Sequence, residues 1–90
     1  MERFRLTKHV MERAYSRAIS PDECFEAYKS GEVIADYPDD KPFPSELRVA
    51  RIAGRVLHLV SAQDGDIVHI ITVYEPDPAL WSDDFKERRK

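Results

Sequence analysis

Arg55-Val56-Leu57-His58-Leu59-Val60-Ser61-Ala62-Gln63-Asp64-Gly65-Asp66-Ile67-Val68-His69-Ile70-Ile71-Thr72-Val73-Tyr74-Glu75 holds two apolar, β-branched runs parted by Asp64-Gly65. Two such runs around an Asp-Gly step predict an antiparallel hairpin with a tight turn. A third run, Glu46 to Ala53, precedes them across Gly54, and Pro76 with Pro78 closes the last strand, so the three segments read as a meander. Along Arg55 to Ala62, Val56 and Val60 point to one face while Leu57 and Leu59 point to the other. Apolar residues on both faces mean that the face away from any helices is covered by something, or used by a ligand.

Working outward, Phe4-Arg5-Leu6 is a short strand, and Thr7 is placed to cap a first helix that runs from Lys8 to about Arg17. Ser20-Pro21-Asp22-Glu23 carries a serine cap, proline at the first helical position and the glutamate of a capping box, so a second helix starts at Pro21. Gly31 is expected to end it in a left-handed conformation, with Glu32 to Tyr37 a strand thereafter. Pro38, Pro42 and Pro44 enforce an irregular connection to the meander. The end of the chain, Ala79 to Lys90, has Leu80, Trp81 and Phe85 on one side and a basic terminus, which reads as a short helix or tail anchored by Trp81. The fold class is therefore α+β: two N-terminal helices packed on a mostly antiparallel sheet of three to five strands, with a short C-terminal helix or tail. Helix contacts are expected through Val10, Met11, Ala14, Phe25 and Tyr28, onto a sheet centred on Leu57, Leu59, Val68 and Ile70.

Ninety residues make a single domain, spanning 1–90, with one modest core. The single cysteine, Cys24, excludes an internal disulfide and reads as a small buried thiol. No apolar run is long enough to span a bilayer and Met1-Glu2-Arg3-Phe4 lacks a signal-peptide stretch, so a soluble, cytoplasmic protein with no membrane partner is expected. The net charge of -3 points to no polyanion by itself.

Position supplies what net charge does not. His9, Arg13 and Arg17 recur every four residues and so line one edge of the first helix. Val10, Met11, Ala14, Tyr15 and Ala18 gather on the opposite side, which places the cationic stripe along the border of the buried face. Its alternative is a solvated edge on which Glu12 pairs with Arg13 or Arg17. In the first hairpin either two-residue turn at Gly54 puts Arg51 on the face of His58, directly opposite or diagonal to it. An imidazole beside a guanidinium suits a general base, and its plainer reading is a half-buried histidine held by one hydrogen bond. The second hairpin leaves a fork. A two-residue Asp64-Gly65 turn pairs Val60 with His69, whereas a three-residue turn through Asp66 pairs Thr72 with His58 and Tyr74 with Val56. In the first case His58 and His69 share a face without a third ligand, so neither a metal nor any other cofactor is expected.

Taken in order, His9-x-x-x-Arg13-x-x-x-Arg17, Ser20-Pro21-Asp22-Glu23, Gly31-Glu32-Val33-Ile34, Tyr37-Pro38-Asp39-Asp40, Leu57-His58-Leu59-Val60 and Ile71-Thr72-Val73-Tyr74-Glu75-Pro76 resemble domain-of-unknown-function family 4258 over nearly the whole chain. That family consists of small prokaryotic proteins. Some members are toxin-like, encoded beside a zinc-finger antitoxin, with a layout similar to the RelE and MqsR ribonuclease toxins. The resemblance implies recurrent polar residues at His9, Arg13, Arg17, His58, Thr72 and Tyr74, an RNA substrate and an antitoxin partner. The chain departs from such nucleases, which are commonly strongly basic, in its acidic balance. RNA cleavage without a metal needs a base for the 2′-hydroxyl, cations for the phosphorane and an acid for the 5′-oxygen. His58 or His9 serves as base, Arg13, Arg17 and Arg51 as phosphate clamp, and Tyr74 or the second histidine as acid. The stripe and His58 with Arg51 are expected to face one groove. Against this endoribonuclease reading stands a non-enzymatic protein-interaction module that uses the open sheet face.

Overall fold

A computed structural model describes residues 3–90. It contains β1 (Arg3–Leu6), α1 (Lys8–Ser16), α2 (Pro21–Ser30), β2 (Glu32–Tyr37), β3 (Ser45–Ile52), β4 (Arg55–Asp64) and β5 (Ile67–Tyr74). The five strands form one sheet in the order β1-β5-β4-β3-β2, antiparallel throughout except for β1, which lies parallel to β5. The chain is thus α+β, with two N-terminal helices on a mostly antiparallel sheet. No helix among the described residues is long and apolar enough to cross a membrane.

Local rules account for the helix starts. Thr7 Oγ1 accepts from the Val10 amide at 3.2 Å, which satisfies a donor that the first turn leaves unpaired. At α2 the Ser20 hydroxyl accepts from the Glu23 amide at 3.1 Å while the Ser20 amide donates to Glu23 Oε1 at 2.9 Å, completing the capping box. The same carboxylate takes the Arg55 guanidinium at 3.0 Å and so ties the head of α2 to the start of β4. The Ser20 amide first and Arg55 second hold its pKa below the usual carboxylate range. Gly31 ends α2 for a reason other than handedness, since its backbone is extended (φ -73°, ψ 155°). A Cβ there would stand 2.4 Å from the Ala27 carbonyl oxygen, so glycine is required for room. The left-handed residue closes α1 instead, at Ala18 (φ 56°).

Ala53 (φ 53°) and Gly54 (φ 81°) form the first hairpin turn between paired Ile52 and Arg55. The second turn is Gly65-Asp66, one residue later than the two-residue branch of the fork and one shorter than the three-residue branch, with Asp64 paired to Ile67. A bulge at Ile71 then shifts the register, so that Ala62 opposes His69, Val60 opposes Thr72 and His58 opposes Tyr74. His69 and Tyr74 therefore share the face of His58, an outcome no straight ladder produces.

The core lies between the helices and one sheet face. Val10, Ala14, Ile19, Cys24 and Ala27 pack on Ala50, Ile52, Leu57, Leu59, Val68, Ile70 and Val73, with Phe4, Leu6 and Tyr28 around them. Phe25 takes its place there through Phe4, their ring centroids 4.9 Å apart. Met11 and Tyr15, expected inside, are 45% and 87% exposed. The helix sits over β5 with its small residues inward, which turns the stripe edge toward the sheet and the Met11–Tyr15 edge outward. Burial of the Cys24 thiol, reinforced by the Glu23 charge, pushes its pKa up to about 11.

The other sheet face is covered around His58. Residues 75–90 form no helix but a turn-rich tail, in which Trp81 pairs with Arg88 and the Arg89 amide donates to the Leu80 carbonyl at 2.8 Å. Trp81 is buried against this face, as expected of an anchor, although its ring meets His58 edge-on at 4.4 Å instead of pairing with Phe85 along a helix. Lys86 adds an ion pair to Glu32 at 3.1 Å.

Candidate functional site

β1 ends at Leu6, opposite Ile70. The chain turns straight into α1, so the second half of β5, from Ile71 onward, has no strand beside it on that edge. Into this gap α1 lays the stripe: His9, Arg13 and Arg17 line a recess of about 220 Å³ together with Val10, Ile71, Thr72 and Val73. Arg17 Nη1 donates to the Val73 carbonyl at 2.9 Å, which satisfies an acceptor of the free strand edge and holds the guanidinium at one end of the recess. Glu12 pairs with Lys8 at 3.8 Å and not with the stripe. Among the described residues neither His9 nor Arg13 forms an ion pair, so both remain available to an anion.

His58 lies elsewhere. It is fully buried, with Nε2 2.8 Å from the Phe85 carbonyl and Nδ1 3.4 Å from the Tyr74 hydroxyl. A carbonyl only accepts, so Nε2 carries the proton and Nδ1 is left facing the phenol. Burial lowers the His58 pKa, partly offset by the Phe85 carbonyl. The imidazole is kept neutral by desolvation and not by the Arg51 guanidinium as the sequence suggested. Tyr74 is shifted upward by burial and by the neighbouring Tyr37, with Arg88 opposing. Arg51 opposes Val56 and is thus a diagonal neighbour of His58 on the same face, but its exposed side chain lines a separate recess with Ser30, Glu32, Asp84 and Lys86. The expected single groove is therefore two regions. The helix stripe reaches the sheet at the β5 edge, while His58 and Tyr74 lie under the tail, and the sheet itself comes between.

His69, which the sequence could not assign to a face, stands on the tail-side face with Asp64 Oδ2 3.5 Å from its Nε2 and Phe43 stacked on its ring at 5.6 Å. Sequence reasoning passed over Arg5, Lys41 and Phe43, which line a cleft with His9 and His69. The alternation in Phe4-Arg5-Leu6, which sends Arg5 to the face opposite the core, was a signal for Arg5 alone. Among the described residues no three His, Cys, Asp or Glu side chains gather closely enough to hold a metal ion.

A family model, that of the Domain of unknown function (DUF4258), matches residues 6–75. It includes both helices, β2 to β5 and the stripe, and leaves the tail outside. No curated protein and no solved structure matches the chain.

Proposed function

The chain belongs to the DUF4258 family, and from that premise and the geometry of its groove we propose that it is a metal-independent endoribonuclease which binds the scissile phosphate at His9, Arg13 and Arg17. The observation that carries the reading is the gathering of these three side chains in one recess over an unpaired strand edge, with no ion pair to His9 or Arg13 among the described residues. Two guanidiniums side by side suit the extra negative charge of a phosphorane, and they act before the reaction without reorganising. His9, the imidazole in the recess, removes the 2′-hydroxyl proton. The freed oxygen attacks phosphorus, the bond to the 5′-oxygen breaks, and the second accessible imidazole, His69, returns a proton to that leaving oxygen. The products are a 2′,3′-cyclic phosphate and a 5′-hydroxyl end. His58, closed beneath Trp81 and Phe85, takes no part while the tail is docked. The wider setting follows from the resemblance to toxin-like members of the family: a cytoplasmic toxin of a type II pair, silenced by a zinc-finger antitoxin.

One observation favours the second reading, a non-enzymatic interaction module. Tyr15 at 87% exposure and Met11 at 45% lie near the exposed Pro21 on the outer side of α1, an apolar strip suited to a protein partner.

Incubating the purified chain with mixed RNA in the presence of chelator separates the two. Cleavage to cyclic-phosphate ends is expected. His9→Ala should lower the rate by about 10²- to 10⁴-fold, the usual worth of a general base. Arg13→Ala should cost about 2 to 4 kcal/mol of transition-state stabilisation. A wild-type chain that leaves both free RNA and translating ribosomes intact refutes the enzyme reading and leaves the module.

A further inference from the structure

Beside the phosphate recess lies a second, larger cavity of about 560 Å³ between β1, the head of α1, β5 and the proline-rich loop. The two adjoin, since His9, Val10 and Ile71 line both. We propose that this cleft is a nucleoside subsite that takes the base and ribose of one unpaired RNA nucleotide whose phosphate rests on His9 and Arg13. The inference rests on the ribonuclease reading and specifies its substrate as single-stranded.

Size is the first argument, because the cavity falls within the range of pockets that enclose small organic ligands, about 300 to 1,000 Å³. The second is an aromatic wall. Phe43 and His69 stack nearly parallel, 4° between ring planes, and Phe43 is only partly buried, so its ring offers a platform for a base. The third is charge. Arg5 is register-paired with His69 across β1 and β5 and shares its face, and Arg5 and Lys41 place cations around the mouth. The one carboxylate in the lining, Asp40, is already engaged, its Oδ2 accepting from the Ser45 hydroxyl at 2.7 Å and its Oδ1 from the Lys41 amide at 3.0 Å. An apolar and aromatic cleft with a cationic rim, joined to a phosphate recess, matches a nucleotide and not an acidic or apolar peptide alone. A base held inside a duplex cannot enter it, which makes strand separation the basis of selection.

The test uses the full chain, with inorganic phosphate, a mixture of nucleoside 5′-monophosphates and a short single-stranded RNA followed by NMR and fluorescence anisotropy. Phosphate is expected to shift the resonances of His9 with Arg13 and Arg17 and leave those of His69 and Phe43 in place, whereas the monophosphates shift His9, His69 and Phe43 together. Phe43→Leu should weaken single-stranded RNA binding by about tenfold, in line with the loss of one base-stacking contact. If monophosphates perturb no more than phosphate does, or duplex RNA binds as well as single strands, the subsite is overturned while the phosphate recess stands. If phosphate, monophosphates and RNA all leave His9 unmoved, the recess is overturned and the subsite with it.

Discussion

Replacing Trp81 with alanine tests how the far face of the sheet is kept closed. In the docked tail Trp81 is 8% exposed and its ring lies edge-on to His58 at 4.4 Å. Truncating a buried tryptophan costs about 3 to 5 kcal/mol. Besides the Arg55–Glu75 pair where the tail begins, two further interactions among the described residues hold it to the body. The hydrogen bond from His58 Nε2 to the Phe85 carbonyl contributes about 0.5 to 1.5 kcal/mol, and the exposed Lys86–Glu32 pair about 1 kcal/mol or less. The loss exceeds what remains, so the tail should release locally. At 1.36 kcal/mol per tenfold, its opening equilibrium should rise by about a hundredfold to a few thousandfold. Hydrogen exchange reads this directly, through faster exchange of the Ser82 and Arg89 amides, which donate to Glu87 and Leu80 in the closed tail. The His58 imidazole gives an independent readout. Its pKa, depressed by burial, should climb toward the ordinary value of 6.5 once water reaches it. Unchanged amide exchange together with an unchanged His58 titration would refute Trp81 as the anchor.

Three further outcomes follow from the packing. Because the folded pKa of His58 lies below its ordinary value of 6.5, the unfolded chain binds more protons just below that pH; His58 should therefore contribute full stability above about pH 6.5 and lose it as the pH falls, seen as a melting temperature that drops on acidification in the wild type and drops less in His58→Gln. Gly31→Ala forces a Cβ to within 2.4 Å of the Ala27 carbonyl oxygen, so the last turn of α2 must distort at a cost of about 1 to 3 kcal/mol, measurable by chemical denaturation. Cys24, buried and with its pKa pushed up to about 11, should resist iodoacetamide at neutral pH in the folded chain and react promptly in denaturant; rapid labelling of the native protein would contradict its burial.

The legible parts of this chain are those whose cause lies within a few residues. The serine box at Ser20–Glu23, the threonine cap at Thr7 and the proline-rich break before β3 each act through backbone groups three or four positions away, and all stand where the sequence puts them. The spacing of His9, Arg13 and Arg17 likewise required nothing beyond helical geometry to place them on one edge. The illegible parts depend on a partner far along the chain. Gly31 looks like any helix-ending glycine; the Ala27 carbonyl that leaves no room for a Cβ is four residues back, but the Val49 carbonyl and the Arg48 Cβ, 3.1 and 3.2 Å from where that Cβ would stand, come from β3 and close the other side. Met11 and Tyr15 fit a buried face on a helical wheel, yet the inward direction of a nine-residue helix is set by the strand beneath it.

By itself, then, the sequence determined the α+β class, the starts of both helices, the hairpins and the existence of a cationic edge, because caps, turns and periodicity are short-range constraints on φ, ψ and side-chain direction. The tertiary structure alone decided that His58 is buried under the tail beside a half-buried Tyr74, while His9, Arg13 and Arg17 open onto a groove. That division arises from two features no local pattern announces. A bulge at Ile71 sets His58 opposite Tyr74, and β1 stops at Leu6, leaving the end of β5 an unpaired edge whose carbonyl at Val73 draws in Arg17. Unpaired backbone groups must find partners, and here that requirement brings the helix edge against the strand.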